Sequence, residues 1–140
     1  MESRPTCILV VAAAILDEEG RLLLQRALPG KRHAGQWEFP GGKVEPAENP
    51  GQALLREVHE ELALTLSSAA LEPAGFAEEP AAGGRAGIVL LLYSCARWSG
   101  QPDPREGQEW GWFTLEQATQ LDLAAMDRHL LRGLMSDLAR

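Results

Sequence analysis

The sequence predicts an α+β fold with strands layered against helices, and three patterns point there. Cys7–Leu16 and Arg21–Arg26 are apolar, strand-like runs on either side of the turn Asp17-Glu18-Glu19-Gly20. Ile88–Tyr93 is almost unbroken apolar, as a strand covered on both faces should be. Two segments, one central and one terminal, carry apolar residues at helical spacing. Strands combined with two such helices imply an α/β/α sandwich.

Taken in order, residues 1–6 read as a loose, disordered end and 7–140 as a single domain. Strands over 7–16 and 21–27 read as a buried hairpin. Residues 28–36 form a loop containing the basic trio Lys31-Arg32-His33, a solvated loop or one that meets phosphates. Trp37-Glu38-Phe39 is a short strand running into Pro40-Gly41-Gly42. A helix then starts at Asn49-Pro50, with Asn as N-cap and Pro in the first turn, and runs to about Leu62. Its apolar residues Leu54, Leu55, Val58 and Leu62 share one arc, and Glu57, Glu60 and Glu61 share another. Strands follow near 71–78, 86–96 and 109–114, with loops at Pro80–Gly84 and Gly100–Pro104. Met126, Leu130, Leu131, Leu134 and Leu138 give the last helix its apolar stripe. The tryptophans read as core residues, and His59 and His129 as helix surface.

The net charge of −7 argues against a broad basic surface for nucleic acid. An anionic substrate would need local cations or bound metal against that field. Cys7 and Cys95 lie in apolar runs without zinc spacing and read as buried free thiols. The run Cys7–Leu16 contains Ala-x-Ala, but Arg4 set against Glu2 is a poor leader start, and the run is too short to span a bilayer. A cytoplasmic protein without membrane attachment is expected.

Chemistry concentrates in Arg56-Glu57-Val58-His59-Glu60-Glu61-Leu62. Carboxylates at i, i+3 and i+4 are close neighbours on a helix and repel unless cations neutralise them. Hard divalent ions such as Mg²⁺, or Mn²⁺ in its place, are the natural partners, and beside a glycine turn they suggest phosphate chemistry. Gly41-Gly42 allows the backbone to approach a ligand closely. Glu48 can take a bidentate bond from Arg56 and pin the preceding loop to the helix.

Gly42, five residues, Glu48, seven residues, then Arg56-Glu57-Val58-His59-Glu60-Glu61-Leu62-Ala63-Leu64 resembles the Nudix box, G-x5-E-x7-R-E-U-x-E-E-x-G-U with U apolar. One position departs: Ala63 stands where the box has a glycine that ends the helix at φ > 0, at a cost of roughly 1 kcal/mol. Leu24-Gln25-Arg26, Trp37 through Glu45, and Trp98-Ser99-Gly100 through Glu106-Gly107-Gln108-Glu109-Trp110 are similar to the MutT branch. The resemblance covers residues from about 7 to 135.

It implies a mixed central sheet and a Mg²⁺-dependent pyrophosphohydrolase that attacks the β-phosphorus of a nucleoside triphosphate, in the service of nucleotide-pool sanitation and DNA repair. Glu57, Glu60, Glu61 and Glu106, with the Gly41 carbonyl, match the metal-binding set. Glu57, Glu60 or Glu106 takes the role of base, in a cluster whose titrations are coupled. Arg26 matches a substrate-contacting arginine; Phe39, Gly42, Lys43 and Asp127 join it as substrate-binding candidates, with Glu48 and Arg56 structural. At the base-reading segment Leu121–Arg128, proteins preferring 8-oxo-dGTP carry Asn and CTP relatives carry Pro-Ala-Asp; here Met126 or Asp127 aligns. Asp127 either reads the base or caps the last helix. The expected substrate is an oxidised or non-standard (d)NTP, with 8-oxo-dGTP first and CTP or 5-substituted dCTP next. A Nudix hydrolase of another nucleoside diphosphate derivative and a silent Nudix-fold binding module are the alternatives. Monomer and homodimer both stay open.

Overall fold

The computed structural model describes residues 7–138, so the loose end expected at 1–6 lies outside the described residues. Among the described residues, nine strands and three α-helices follow in chain order: β1 Cys7–Ile15, β2 Leu22–Arg26, β3 Trp37–Glu38, β4 Gly41–Lys43, α1 Pro50–Leu62, β5 Thr65–Leu66, β6 Glu72–Glu79, β7 Gly87–Cys95, β8 Trp98–Ser99, β9 Trp110–Phe113, α2 Leu115–Thr119 and α3 Ala125–Leu138. The main sheet has the order β4-β1-β7-β6. It is mixed: β1 runs parallel to β7 and antiparallel to β4, and β6 is antiparallel to β7. A second sheet, β3-β2-β9, and the pair β5-β8 complete the strands.

The layering follows from strand alternation. Val11, Ala13 and Ile15 of β1 pack with Ala53, Leu54, Val58 and Leu62 of α1. Ala12 and Ala14 face the opposite side, in the cluster holding Met126, Leu130, Leu131 and Leu134 of α3. One strand thus separates two apolar layers, each closed by a helix, which is the α/β/α sandwich expected. Leu138 departs from the predicted stripe: at the end of α3 it is 54% exposed.

The hairpin expected from the first two strands does not form. Leu16 and Leu22 make a single bridge beyond the Asp17 turn, and the chains then separate into different sheets. Both edges of β1 are already occupied, by β4 and β7, so β2 has no edge to join. Cys95 is buried but Cys7 is exposed, against expectation. In the parallel register Cys7 faces Gly87 and Cys95 faces Ile15. The two thiols stand eight residues apart along that ladder, roughly 26 Å and far beyond disulfide reach.

Helix α1 begins as its sequence requires. Asn49 and Gln52 form a reciprocal capping box, each backbone N–H donating to the other's side chain at 2.9 Å. It ends at Ala63, which takes the left-handed conformation at φ 58°. Alanine therefore occupies the glycine-favouring position rather than shifting the end of the helix.

Candidate active site

A cavity of about 550 Å³ opens between α1, the β2 end, the loop 28–36 and the start of α3. Arg26, Phe39, Gly41, Gly42, Lys43, Glu57, Glu61, Glu106 and Asp127 all line it. Glu60 does not: its carboxylate is 58% exposed and turns to Arg56. The structure thus brings together most of the sequence candidates from five separate stretches of chain.

Strand β4 explains the arrangement. Ala13 N–H donates to Pro40 C=O and Val44 N–H to Leu9 C=O, so the peptide groups of alternate residues bond β1 and the Gly41 N–H points away from it. Its N–H donates to Glu61 Oε1 at 3.0 Å. Two residues earlier, Phe39 N–H donates to Asp127 Oδ1 at 2.9 Å. Phe39 and Gly41 flank Pro40 in the bend that joins β3 to β4, so one short connecting segment anchors both Glu61 and Asp127. Trp37 sets up the second anchor: its N–H bonds Asp122 C=O at 2.8 Å and its C=O takes Ala124 N–H at 3.1 Å, which docks the start of α3.

The glycines are needed for reasons other than a ligand. A Cβ on Gly41 would collide with the backbone of Val11 and Ala12, and one on Gly42 with the Glu57 carboxylate. Asp127 is not an N-cap: it sits in the first turn of α3, 3% exposed, bonded across to Phe39.

Arg56 organises the helix acids. Its Nε and Nη2 hold Glu48 at 2.7 and 2.9 Å, the bidentate pair expected from sequence. Its Nη1 bonds Glu57 at 2.9 Å and Glu60 at 3.3 Å, and Nη2 also reaches the Lys43 carbonyl at 3.1 Å. The Arg56 guanidinium holds Glu48 below the ordinary carboxylate range. Burial raises Glu57, against the pull of Arg56.

Sequence reading missed three polar residues here, one partly buried and two fully buried. Glu38 lines the cavity, and burial together with Asp127 and Glu61 pushes its pKa to about 8. Gln25 and Gln108 are 4% and 6% exposed and bond to Glu61. The signal that could have marked them is a polar residue at an inward strand position. Glu61 is likewise raised to about 8 by burial, against the bond from Gln25. Burial lifts Asp127 to about 6, against the Phe39 N–H.

The basic loop is not plainly solvated: Lys31, Arg32 and His33 line the cavity and pair with acids. Arg32 and His33 clamp Glu79 of β6 at 2.7 Å each, and Lys31 lies 3.8 Å from Glu106. Arg26 sits half-exposed on the rim, with Nε on the Gly35 carbonyl at 2.8 Å and Nη1 3.5 Å from Glu109. His59 and His129 are exposed, as expected. Trp98 stacks on Trp112 and Trp37 meets Phe113 edge-on, so these rings serve packing.

Among the described residues, no three His, Cys, Asp or Glu side chains are already drawn together as a metal shell. The donors nonetheless fit a hard divalent cation. Glu61 has only amide donors and no basic partner among the described residues, and Glu57 and Glu60 share one nitrogen of Arg56. Nor, among the described residues, is any helix long and apolar enough to cross a membrane.

The NUDIX domain pattern matches residues 8–134. The chain is 36% identical over 126 residues to the CTP pyrophosphohydrolase of Escherichia coli (strain K12), covering 90% of each. It is 39% identical over 105 residues to the 8-oxo-dGTP diphosphatase of Haemophilus influenzae, covering 75% of this chain and 74% of that one. Among solved structures, a MutT NUDIX hydrolase from Burkholderia pseudomallei superposes with a TM-score of 0.82 at 30% identity, over 91% of this chain and 98% of that chain. The carboxylate helix, the glycine segment that anchors it and these similarities lead to one conclusion: the chain belongs to the Nudix family and is a hydrolase of the MutT type.

Proposed function

We propose that this hydrolase cleaves an oxidised or non-standard nucleoside triphosphate to the monophosphate and pyrophosphate, using Mg²⁺, with Mn²⁺ as a substitute. The observation that carries the reading is the short segment Phe39–Gly41 between β3 and β4, whose backbone N–H groups anchor Glu61 at one end and Asp127 at the other. A triphosphate laid along that segment would put its phosphates by α1 and its base by α3.

Glu57, Glu60, Glu61, Glu106 and the Gly41 carbonyl are the oxygens that would hold the cation. When bound, it neutralises the triphosphate and makes water more acidic. Water adds to the β-phosphorus, the bond to the bridging oxygen breaks, and the nucleoside monophosphate leaves. The water's proton goes to a carboxylate oxygen. Of the three candidate bases, Glu57 and Glu106 line the cavity, which favours them over Glu60. Lys43 and Arg26 on the rim supply positive charge for the phosphates. Glu48 and Arg56 hold the loop and the helix in register.

At the base end, Glu38 stays protonated to about pH 8 and can donate. Asp127 ionises near pH 6 and accepts. A donor beside an acceptor suits O6 and N1–H of an 8-oxoguanine, the first substrate to try. It also suits N3 and N4–H₂ of a cytosine. The 36% identity with a CTP pyrophosphohydrolase across 90% of both chains favours CTP or a 5-substituted dCTP as the second reading.

The test is a screen of canonical and modified triphosphates with Mg²⁺, reading pyrophosphate against orthophosphate. Release of pyrophosphate with a preference for 8-oxo-dGTP is expected. Orthophosphate alone, or turnover of only sugar or dinucleoside diphosphates, would refute the reading.

A further inference from the structure

Gln25 on β2 and Gln108 just ahead of β9 have no part in the scheme above. Burying an amide this fully is costly unless its polar atoms find partners. Here they do. Gln108 Oε1 accepts from Glu106 N–H at 3.1 Å. Its Nε2 donates to Gln25 Oε1 at 3.0 Å and to the Glu61 carbonyl at 3.1 Å. Gln25 Nε2 donates in turn to Glu61 Oε2 at 3.1 Å.

The direction of this chain is forced. A glutamine amide can exchange its oxygen and nitrogen by a flip. The backbone groups at the ends cannot: Glu106 N–H only donates and Glu61 C=O only accepts. Gln108 must turn its oxygen to Glu106 and its nitrogen to Glu61. The second hydrogen of that nitrogen needs an acceptor, which fixes the Gln25 oxygen. Gln25 is left to donate to the Glu61 carboxylate. Asp103 and Arg105 N–H, bonded to the Leu62 and Glu61 carbonyls at 2.9 and 3.1 Å, attach the same loop to the end of α1. Those bonds reach only the backbone of Glu61 and Leu62; the glutamines continue the tie to the Glu61 side chain.

We propose that Gln108 and Gln25 form a polarised amide relay that positions Glu61 of α1 and Glu106 of the loop before β9 against one another. Both are positioning residues: they act through the two acids. The catalytic consequence rests on the reading of this cavity as a cation–triphosphate site, whereas the relay itself is a property of the free protein.

Gln25→Met, Gln108→Met and the double variant remove the bonds with little change of volume. Each single change is expected to weaken Mn²⁺ binding, read by electron paramagnetic resonance, and to raise the Mg²⁺ needed for half-maximal turnover by about 10-fold or more. The double variant should lose no more than the worse single one, since either change breaks the relay. Losses that multiply would overturn the proposal. So would a raised nucleotide KM with unchanged Mn²⁺ affinity, which would mark direct substrate contact. Hydrogen exchange on the cation-free wild type decides the matter even where a variant fails to fold. The Glu106 amide should exchange as slowly as the paired amides of β9, and free exchange there sinks the relay. If wild type cleaves no triphosphate, the functional reading fails, while the Mn²⁺ and exchange results still judge the relay.

Discussion

Along α1, the acids Glu57, Glu60 and Glu61 come from a single turn, and one arginine organises two of them together with Glu48. At the other end of the cavity, Glu38 comes from β3 and Asp127 from α3, and no arginine pairs with either among the described residues. The first group is local in sequence and partly neutralised. The second is assembled by tertiary contacts, and burial raises the pKa of both its members, Glu38 to about 8 and Asp127 to about 6. A helix repeat can present charge for a cation to bind, whereas only packing can hold two carboxyl groups apart from water and close to each other.

The sharpest way to break this comparison is Glu57→Gln. It removes a cavity-lining charge from the α1 wall, and kcat should fall by about 100-fold or more with circular dichroism unchanged. Turnover like that of wild type would sink the role given to this wall. Asp127→Asn acts at the other end. Asparagine keeps an oxygen for Phe39 N–H but adds a donor. The ratio of kcat/KM between guanine-type and cytosine triphosphates should change by about tenfold, with a smaller change in turnover of the better substrate. An unchanged ratio with a lower melting point would make Asp127 purely architectural.

Protonation gives the next contrast. The pKa of Glu38 rises from 4.5 unfolded to about 8 folded, chiefly by burial. Between those values the native state binds the extra proton, so stability falls as pH rises through that window. Glu38→Gln cannot ionise. In a chelator, its melting temperature should gain on wild type progressively from pH 4.5 to 8 and then level off. Parallel curves would remove Glu38 from the buried acid group. The smallest effect belongs to the end of the acidic helix. Ala63 at φ 58° pays a steric cost that glycine avoids. Ala63→Gly should therefore stabilise by at most about 1 kcal/mol in urea unfolding, less the entropy of a freer unfolded chain.

The α1 wall was legible in the sequence because its information is local. Spacing placed Glu57, Glu60 and Glu61 on one face, and Asn49 with Pro50 marked where the helix starts. Strand runs and the Glu48–Arg56 pair were legible for the same reason. Strand partnership was not. Nothing in Cys7–Leu16 or Arg21–Arg26 says that β4 and β7 take both edges of β1 and send β2 to another sheet.

Sequence by itself determined the layered fold, the acidic helix face and the family, because period and spacing are properties of neighbouring residues. Tertiary structure alone decided that Glu60 turns away from the cavity, that Glu38 faces into it, and that Asp127 joins Phe39 instead of capping α3. It alone linked Gln25, Gln108 and Glu61. Those outcomes depend on which surfaces lose their water when separate elements pack, and burial, unlike periodicity, is written nowhere in a single stretch of chain.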